Sequence, residues 1–218
     1  MRLVRFYRST VGKKVIMAVS GVVGVVFLVA HMAGNLQIFA GEERINAYAR
    51  FLHGPAEEVV LLQRVVLVVA LVLHVLMAWQ LTTRNRAARP EGYSRRDPQV
   101  TTFAARSMRW GGVLLLAFIV FHILHFTTLD IDPTFVQYDV YGNVRKAFQH
   151  PWRVAVYVVA MLLLGLHLYH GAWSSGRTLG MSPPSAWPFR RRVALGLAIV
   201  IAAGFALVPV AAFLGFFR

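Results

Sequence analysis

Hydrophobic positions in this chain are gathered into long unbroken runs instead of recurring along one helix face or alternating as in a half-buried strand. Five stretches free of Asp, Glu, Lys and Arg run from Val15 to Ala40, Val65 to Thr83, Trp110 to Leu129, Val154 to Gly176 and Val193 to Phe217. A bilayer core of about 30 Å takes roughly 20 apolar residues in helical form, because any other open structure leaves backbone groups unsatisfied in lipid. The runs predict an all-α, polytopic membrane protein, a single domain over residues 1–218 with five transmembrane helices at about 15–40, 59–83, 109–129, 153–176 and 193–217. The first run follows basic residues, as in a signal peptide. It exceeds the roughly 7–15-residue apolar core of such a signal and lacks a small-residue cleavage site, so a retained helix is expected. Pro90, Pro98, Pro133, Pro183, Pro184 and Pro188 are expected to end helices within short ordered connections.

Composition and charge sharpen this picture. Of 218 residues 57% are hydrophobic and 15% charged, against about 25% charged in a soluble domain, which excludes an ordinary soluble globule. Lys and Arg number 23 against nine acids, and they are distributed unevenly between the two faces. Five precede the first run (Arg2, Arg5, Arg8, Lys13, Lys14), seven lie in the second connection (Arg84, Arg86, Arg89, Arg95, Arg96, Arg106, Arg109) and four in the fourth (Arg177, Arg190, Arg191, Arg192). The other face holds most of the acids: Glu42, Glu43, Glu57, Glu58, Asp130, Asp132 and Asp139. Flanking basic residues are retained on the cytoplasmic side, so the N-terminus is expected inside and the C-terminus outside. With loops this short, the basic face reads as topology and contact with anionic lipid, with room for a soluble partner, and not as a nucleic-acid site. Cys is absent, which removes disulfides, thiolate iron–sulfur ligation and covalent haem attachment, so metal chemistry would have to use His.

Six of the eight His fall in the predicted spans: His31, His74, His122, His125, His167 and His170. Ionisable groups within a bilayer are costly and usually face the bundle interior. Any one of them could serve as an interhelical hydrogen bond; four successive helices each carrying one is a stronger signal. Counting from the nearest inner-side charge, His74 lies ten positions before Arg84 and His167 ten before Arg177, about 15 Å deep at a rise of 1.5 Å per residue. His31 lies about 25 Å in, and His122 and His125 about 20 and 24 Å. Two layers result, an inner one with His74 and His167 and an outer one with His31 and either His122 or His125. Two His at one depth on facing helices can supply both axial ligands of a haem iron, whereas a His-only zinc or copper site would want three or four ligands together. Gly21, Gly24, Gly34, Gly111, Gly112, Gly165 and Gly171 would let a macrocycle approach the backbone, or serve close helix packing. His170 suits a hydrogen bond near the inner interface, His125 a contact to a ligand or haem propionate or simple packing, and His53 and His150 a solvated connection.

Four segments carry a family resemblance: "STVGKKVIMAVSG" with "FLVAHMAGNLQIF", then "LVLHVLMAWQL", "FIVFHILHF" and "LLGLHLYHGAWSSGRTLGM". The chain resembles, over nearly its whole length, the di-haem cytochrome b membrane anchor of succinate dehydrogenase and fumarate reductase in its single-subunit, five-helix form. The resemblance implies two haem b groups, with His31 and His122 as axial ligands of one and His74 and His167 of the other, and so selects His122 over His125. It also implies partners: a flavoprotein subunit with covalent FAD, an iron–sulfur subunit on the cytoplasmic side, and a quinone, commonly menaquinone, in a bacterial inner membrane, with a possible higher oligomer of the complex. The dicarboxylate active site would lie in the partner, and this chain would anchor it and conduct electrons between the iron–sulfur subunit and quinone, within the respiratory chain and tricarboxylic acid cycle.

Two further sites are expected. Docking of the iron–sulfur subunit would use the basic face through Arg5, Arg8, Ser9, Lys13 and Arg84. Quinone needs an apolar cleft with a few polar groups, which the first outer connection could offer through Asn46, Tyr48, His53, Glu57 and Glu58 beside Ile45, Phe51 and Leu52 on a short surface helix; Trp79 and Gln80 on the inner side are the rival location. The alternatives for the whole chain are the cytochrome b subunit of another respiratory oxidoreductase and a haem-free transporter or anchor.

Overall fold

The computed structural model describes residues 2–88, 103–181, 183 and 187–217, and among these no strand is present. In chain order the helices are α1 (Arg2–Arg8), α2 (Thr10–Asn35, continued by a 3-10 segment Leu36–Ala40), α3 (Glu42–Leu52), α4 (Glu57–Ala87), α5 (Phe103–Phe126), α6 (Val140–Ala147), α7 (Pro151–Thr178) and α8 (Trp187–Phe213). Five of them, α2, α4, α5, α7 and α8, are long and apolar enough to cross a membrane. Arg89, Arg95, Arg96, Pro90, Pro98 and Pro184 lie outside the described residues.

Local chemistry sets the helix ends. Ser9, in extended conformation, caps α2 by accepting from the Gly12 N–H at 2.9 Å, which satisfies one of the donors a helix start leaves free. Gly12 is required there, since a Cβ would fall 1.9 Å from the Phe6 carbonyl oxygen. Helix α5 ends at Phe126, three residues short of the expected 129: the Thr127 and Thr128 amides both turn back to the Ile123 carbonyl and Leu129 takes a φ of 63°. Helix α8 departs furthest from expectation. It begins at Trp187 and not at Val193, stops at Phe213, and carries Pro188 in its first turn instead of being ended by it. Proline is tolerated in a first turn because the N–H it lacks has no intrahelical acceptor there.

Two sequential helix pairs, α2 with α4 and α5 with α7, form the halves of the bundle; α2 packs across onto α7, and α8 lies against α7 and α2. Helices α2 and α5 make little backbone contact, and the same holds for α4 and α7. Helix α4 is the most peripheral span, burying only Ala70, Met77 and Leu81, and its row of exposed Val and Leu is what a lipid-facing helix presents.

The acidic end of the bundle is closed by α3, α6 and the loop after α5. The Asn46 side chain donates to Asp139 at 3.0 Å and accepts from the Tyr141 amide at 3.1 Å, while Asp139 caps α6 through the Gly142 N–H. Beneath this clamp Ile38, Ile45, Val144, Phe148, Tyr157 and Val208 form one apolar cluster. Arg153, at the start of α7 and 8% exposed, pairs with Asp132 at 2.9 Å. Asp132 also accepts from the Thr134 amide and hydroxyl. Those hydrogen bonds, then the guanidinium, lower the Asp132 carboxyl from its usual 3.8 to about 2.

A carboxyl whose acidity is raised by folding contributes stability above its ordinary value and loses it as pH falls through the folded one. Asp132→Asn should therefore unfold at lower temperature than wild type near neutral pH. That gap should close as pH falls from about 3.8 to about 2, as followed by thermal denaturation of the detergent-solubilised protein; a gap constant across this window would show that the carboxylate is not what holds the loop.

Candidate paired-histidine site

The four spans that carry one His per layer place them as two facing ring pairs. His74 on α4 and His167 on α7 have ring centres 6.0 Å apart, tilted by 52°. His31 on α2 and His122 on α5 have ring centres 5.9 Å apart, at 73°. Each pair bridges two helices that scarcely touch, so the imidazoles meet across a gap in the bundle. Among the described residues no three His, Asp or Glu side chains gather into a group that could hold a metal ion.

The neighbours of each ring differ. His74 Nδ1 lies 3.1 Å from the Met17 carbonyl oxygen and 3.4 Å from Ser20 Oγ. Against a carbonyl this nitrogen is the N–H, which leaves Nε2 as a bare acceptor. His122 Nδ1 is 3.2 Å from the Tyr157 hydroxyl. His167 Nδ1 is buried without a hydrogen-bond partner among the described residues. The His31 ring stacks on Phe27 at 5.2 Å and meets Phe205 at 5.5 Å, with the Asn35 amide 3.3 Å from Nε2, a long contact that a ligand on that nitrogen would replace.

Haem b can be tested against this geometry. Two metal–imidazole bonds of about 2.0–2.1 Å set the ligating nitrogens about 4 Å apart and, with the inner parts of both rings added, the ring centres about 6 Å apart. Both pairs have that separation. A metal-ligating His also usually donates its other N–H to a carbonyl or similar acceptor, as His74 does. The residues present fit the group.

The glycines sort into different duties. A Cβ on Gly21 would lie 3.3 Å from His74 Cε1, and one on Gly112 would lie 4.0 Å from His167 Cε1, so both sit beside the inner pair. Gly24 and Gly171 face open space. Gly34 instead admits the Tyr48 ring and Gly165 admits Ala202 of α8, which is helix packing.

His125, the rival on α5, is fully buried. It stacks on Phe135 and bonds through Nδ1 to the Tyr157 hydroxyl at 3.0 Å; no ring contact joins it to His31. His170 is half-buried and makes no hydrogen bond among the described residues.

The expected quinone residues are not drawn into one cleft. Asn46 is consumed in the α3–α6 clamp and Tyr48 packs on Gly34, while His53, Glu57 and Glu58 are exposed, with the His53 ring 5.2 Å from Tyr138. On the inner side Trp79 is exposed and Gln80 bonds to Lys13. Of the docking candidates Arg5 and Arg8 are exposed, Arg84 donates to the Arg8 carbonyl at 2.9 Å, Ser9 is occupied as a cap, and Lys13 is 3% exposed.

Tyr157 and Ser20 escape a reading confined to His. The signal for Tyr157 lies in the same depth count: it stands twenty positions before Arg177, about 30 Å in, a buried hydroxyl toward the outer layer that needs a partner. No family model, curated protein or solved structure matches the chain.

Gly21→Leu should push the His74 ring from its place and lower haem content, measured by pyridine haemochrome assay of the purified protein. Gly196→Leu, on α8 where a new Cβ meets nothing, serves as the control. Equal haem in both variants would mean that Gly21 does not position His74.

Proposed function

We propose that this chain is the di-haem cytochrome b membrane anchor of a succinate:quinone oxidoreductase. It would hold one haem b between His74 and His167 and another between His31 and His122. The observation that carries the reading is the pair of ring couples at about 6 Å on four successive spans; the sequence segments around the four His supply the choice of family. When bound, the two haems supply one-electron carriers that divide a hydrocarbon core of about 30 Å into shorter transfers.

The chain's own residues do the remainder. The Met17 carbonyl holds the inner ring of His74 in one tautomer, with Ser20 beside it. Exposed Arg5 and Arg8 at the basic end give the iron–sulfur subunit a cationic surface, with the flavoprotein and its FAD beyond it. In this orientation the basic end faces the bacterial cytoplasm and the C-terminus faces outward. Quinone, menaquinone in this reading, would be met at the acidic end, where His53, Glu57 and Glu58 are exposed without forming one cleft.

A reduced-minus-oxidised spectrum of the purified complex should contain a b-type band, with two haems per copy of this chain. His74→Ala and His167→Ala should each lose one haem, His31→Ala and His122→Ala the other. Absence of the band removes the haem reading, and a His122→Ala protein that keeps both haems while His125→Ala loses one removes the outer pair.

A further inference from the structure

The Tyr157 hydroxyl is within hydrogen-bond distance of both histidines of α5. It lies 3.2 Å from His122 Nδ1 and 3.0 Å from His125 Nδ1, in a side chain 7% exposed. A phenol has a single hydrogen to give and an oxygen that accepts, so it can donate to only one of the two rings. If both rings donated to the oxygen, its own hydrogen would need a third partner, and no other hydrogen bond of this hydroxyl is present among the described residues.

The choice between the two directions follows from the ring pair. His122 faces His31, whereas His125 points into a wall of Phe121, Phe126 and Phe135. A neutral imidazole that ligates through Nε2 carries its hydrogen on Nδ1. His122 then gives that hydrogen to the phenol oxygen, and the phenol gives its own to His125 Nδ1. His125 in consequence bears its hydrogen on Nε2, the atom that is buried without a partner. One phenol therefore fixes two tautomers, and the chain His122 to Tyr157 to His125 ends in a fully buried ring.

We propose that Tyr157 is a positioning residue for the outer histidine pair, its hydroxyl orienting His122 and strengthening it as an electron donor to the iron, with His125 as the terminal acceptor that polarises the hydroxyl. The inference rests on the haem reading above. An acceptor on the distal N–H of a ligating imidazole raises the basicity of the ligating nitrogen, which favours the oxidised metal. Donation from the hydroxyl to His125 makes its oxygen the better acceptor, since hydrogen bonds in a chain polarise one another. This gives His125 a role that packing alone would not.

The test is a redox titration of the purified complex, reading each haem from its b-type band, with His74→Ala used to leave the outer haem alone. Tyr157→Phe keeps the ring and removes only the hydroxyl. It should retain both haems and raise the outer midpoint by about 59 mV, a tenfold change in the relative affinity for oxidised and reduced iron, while the inner midpoint stays in place. His125→Phe should move the outer midpoint in the same direction by less, and the double variant no further than Tyr157→Phe alone. The low-temperature electron paramagnetic resonance signal of the oxidised outer haem should change with Tyr157→Phe. The inference is overturned if wild type holds two haems and Tyr157→Phe leaves the outer midpoint and this signal unchanged, or if inner and outer midpoints shift equally. A wild-type complex with no b-type band refutes the haem reading itself.

Discussion

Within hydrocarbon a helix consumes its own backbone donors and acceptors, so the polar chemistry at mid-depth is what side chains carry in. Here that side chain is chiefly imidazole, and the rest of the arrangement depends on how each ring is satisfied. His74 leans on a backbone carbonyl of α2, His122 and His125 share a phenol, and His167 keeps a buried nitrogen without a partner among the described residues. A buried polar atom left unpaired costs about 1–3 kcal/mol. One such atom stands in each layer, His167 Nδ1 in the inner and His125 Nε2 in the outer, and beside the inner pair Gly21 and Gly112 clear room around the rings.

The two ends of the bundle are built by different means. At the acidic end short helices, a capped loop, the Asn46 clamp and the Arg153–Asp132 pair lock α3, α6 and α7 together. Among the described residues of the basic end the contacts involve long cationic side chains: Lys13 reaches Gln80 and lies over the Tyr7 ring, Arg84 reaches the Arg8 carbonyl, and Arg177 lies over Trp187. Arg5 and Arg8 are exposed at this end.

The spans were legible because a charge-free run of membrane length has few other uses, and the two layers because Arg84 and Arg177 stand at equal distance from His74 and His167. His122 and His125 could not be separated by depth, since three residues are less than one turn of helix; what separates them is which ring each meets, His31 for His122 and the Phe121, Phe126 and Phe135 rings for His125, a tertiary matter. Ser9 and Lys13 read as surface residues because basic and polar flanks usually are, yet one closes a helix start and the other is drawn inward to Gln80. Gly34 and Gly165 show the same limit. A glycine in an apolar run announces close approach without saying what approaches, and at these two positions it is a tyrosine ring and a neighbouring helix. The short helix α6 carried no periodic apolar run long enough to announce it.

The division of the bundle into α2 with α4 and α5 with α7 bears on how the protein is made. Each half is a hairpin of two spans that follow one another in the chain, so it can pack before the other half is made. Every histidine couple is split between the halves: His31 and His74 belong to the first, His122 and His167 to the second. Neither couple exists in a half-synthesised chain. The ring pairs form only when the two hairpins close on one another, so any group held between the rings would be enclosed in the same step that joins the halves.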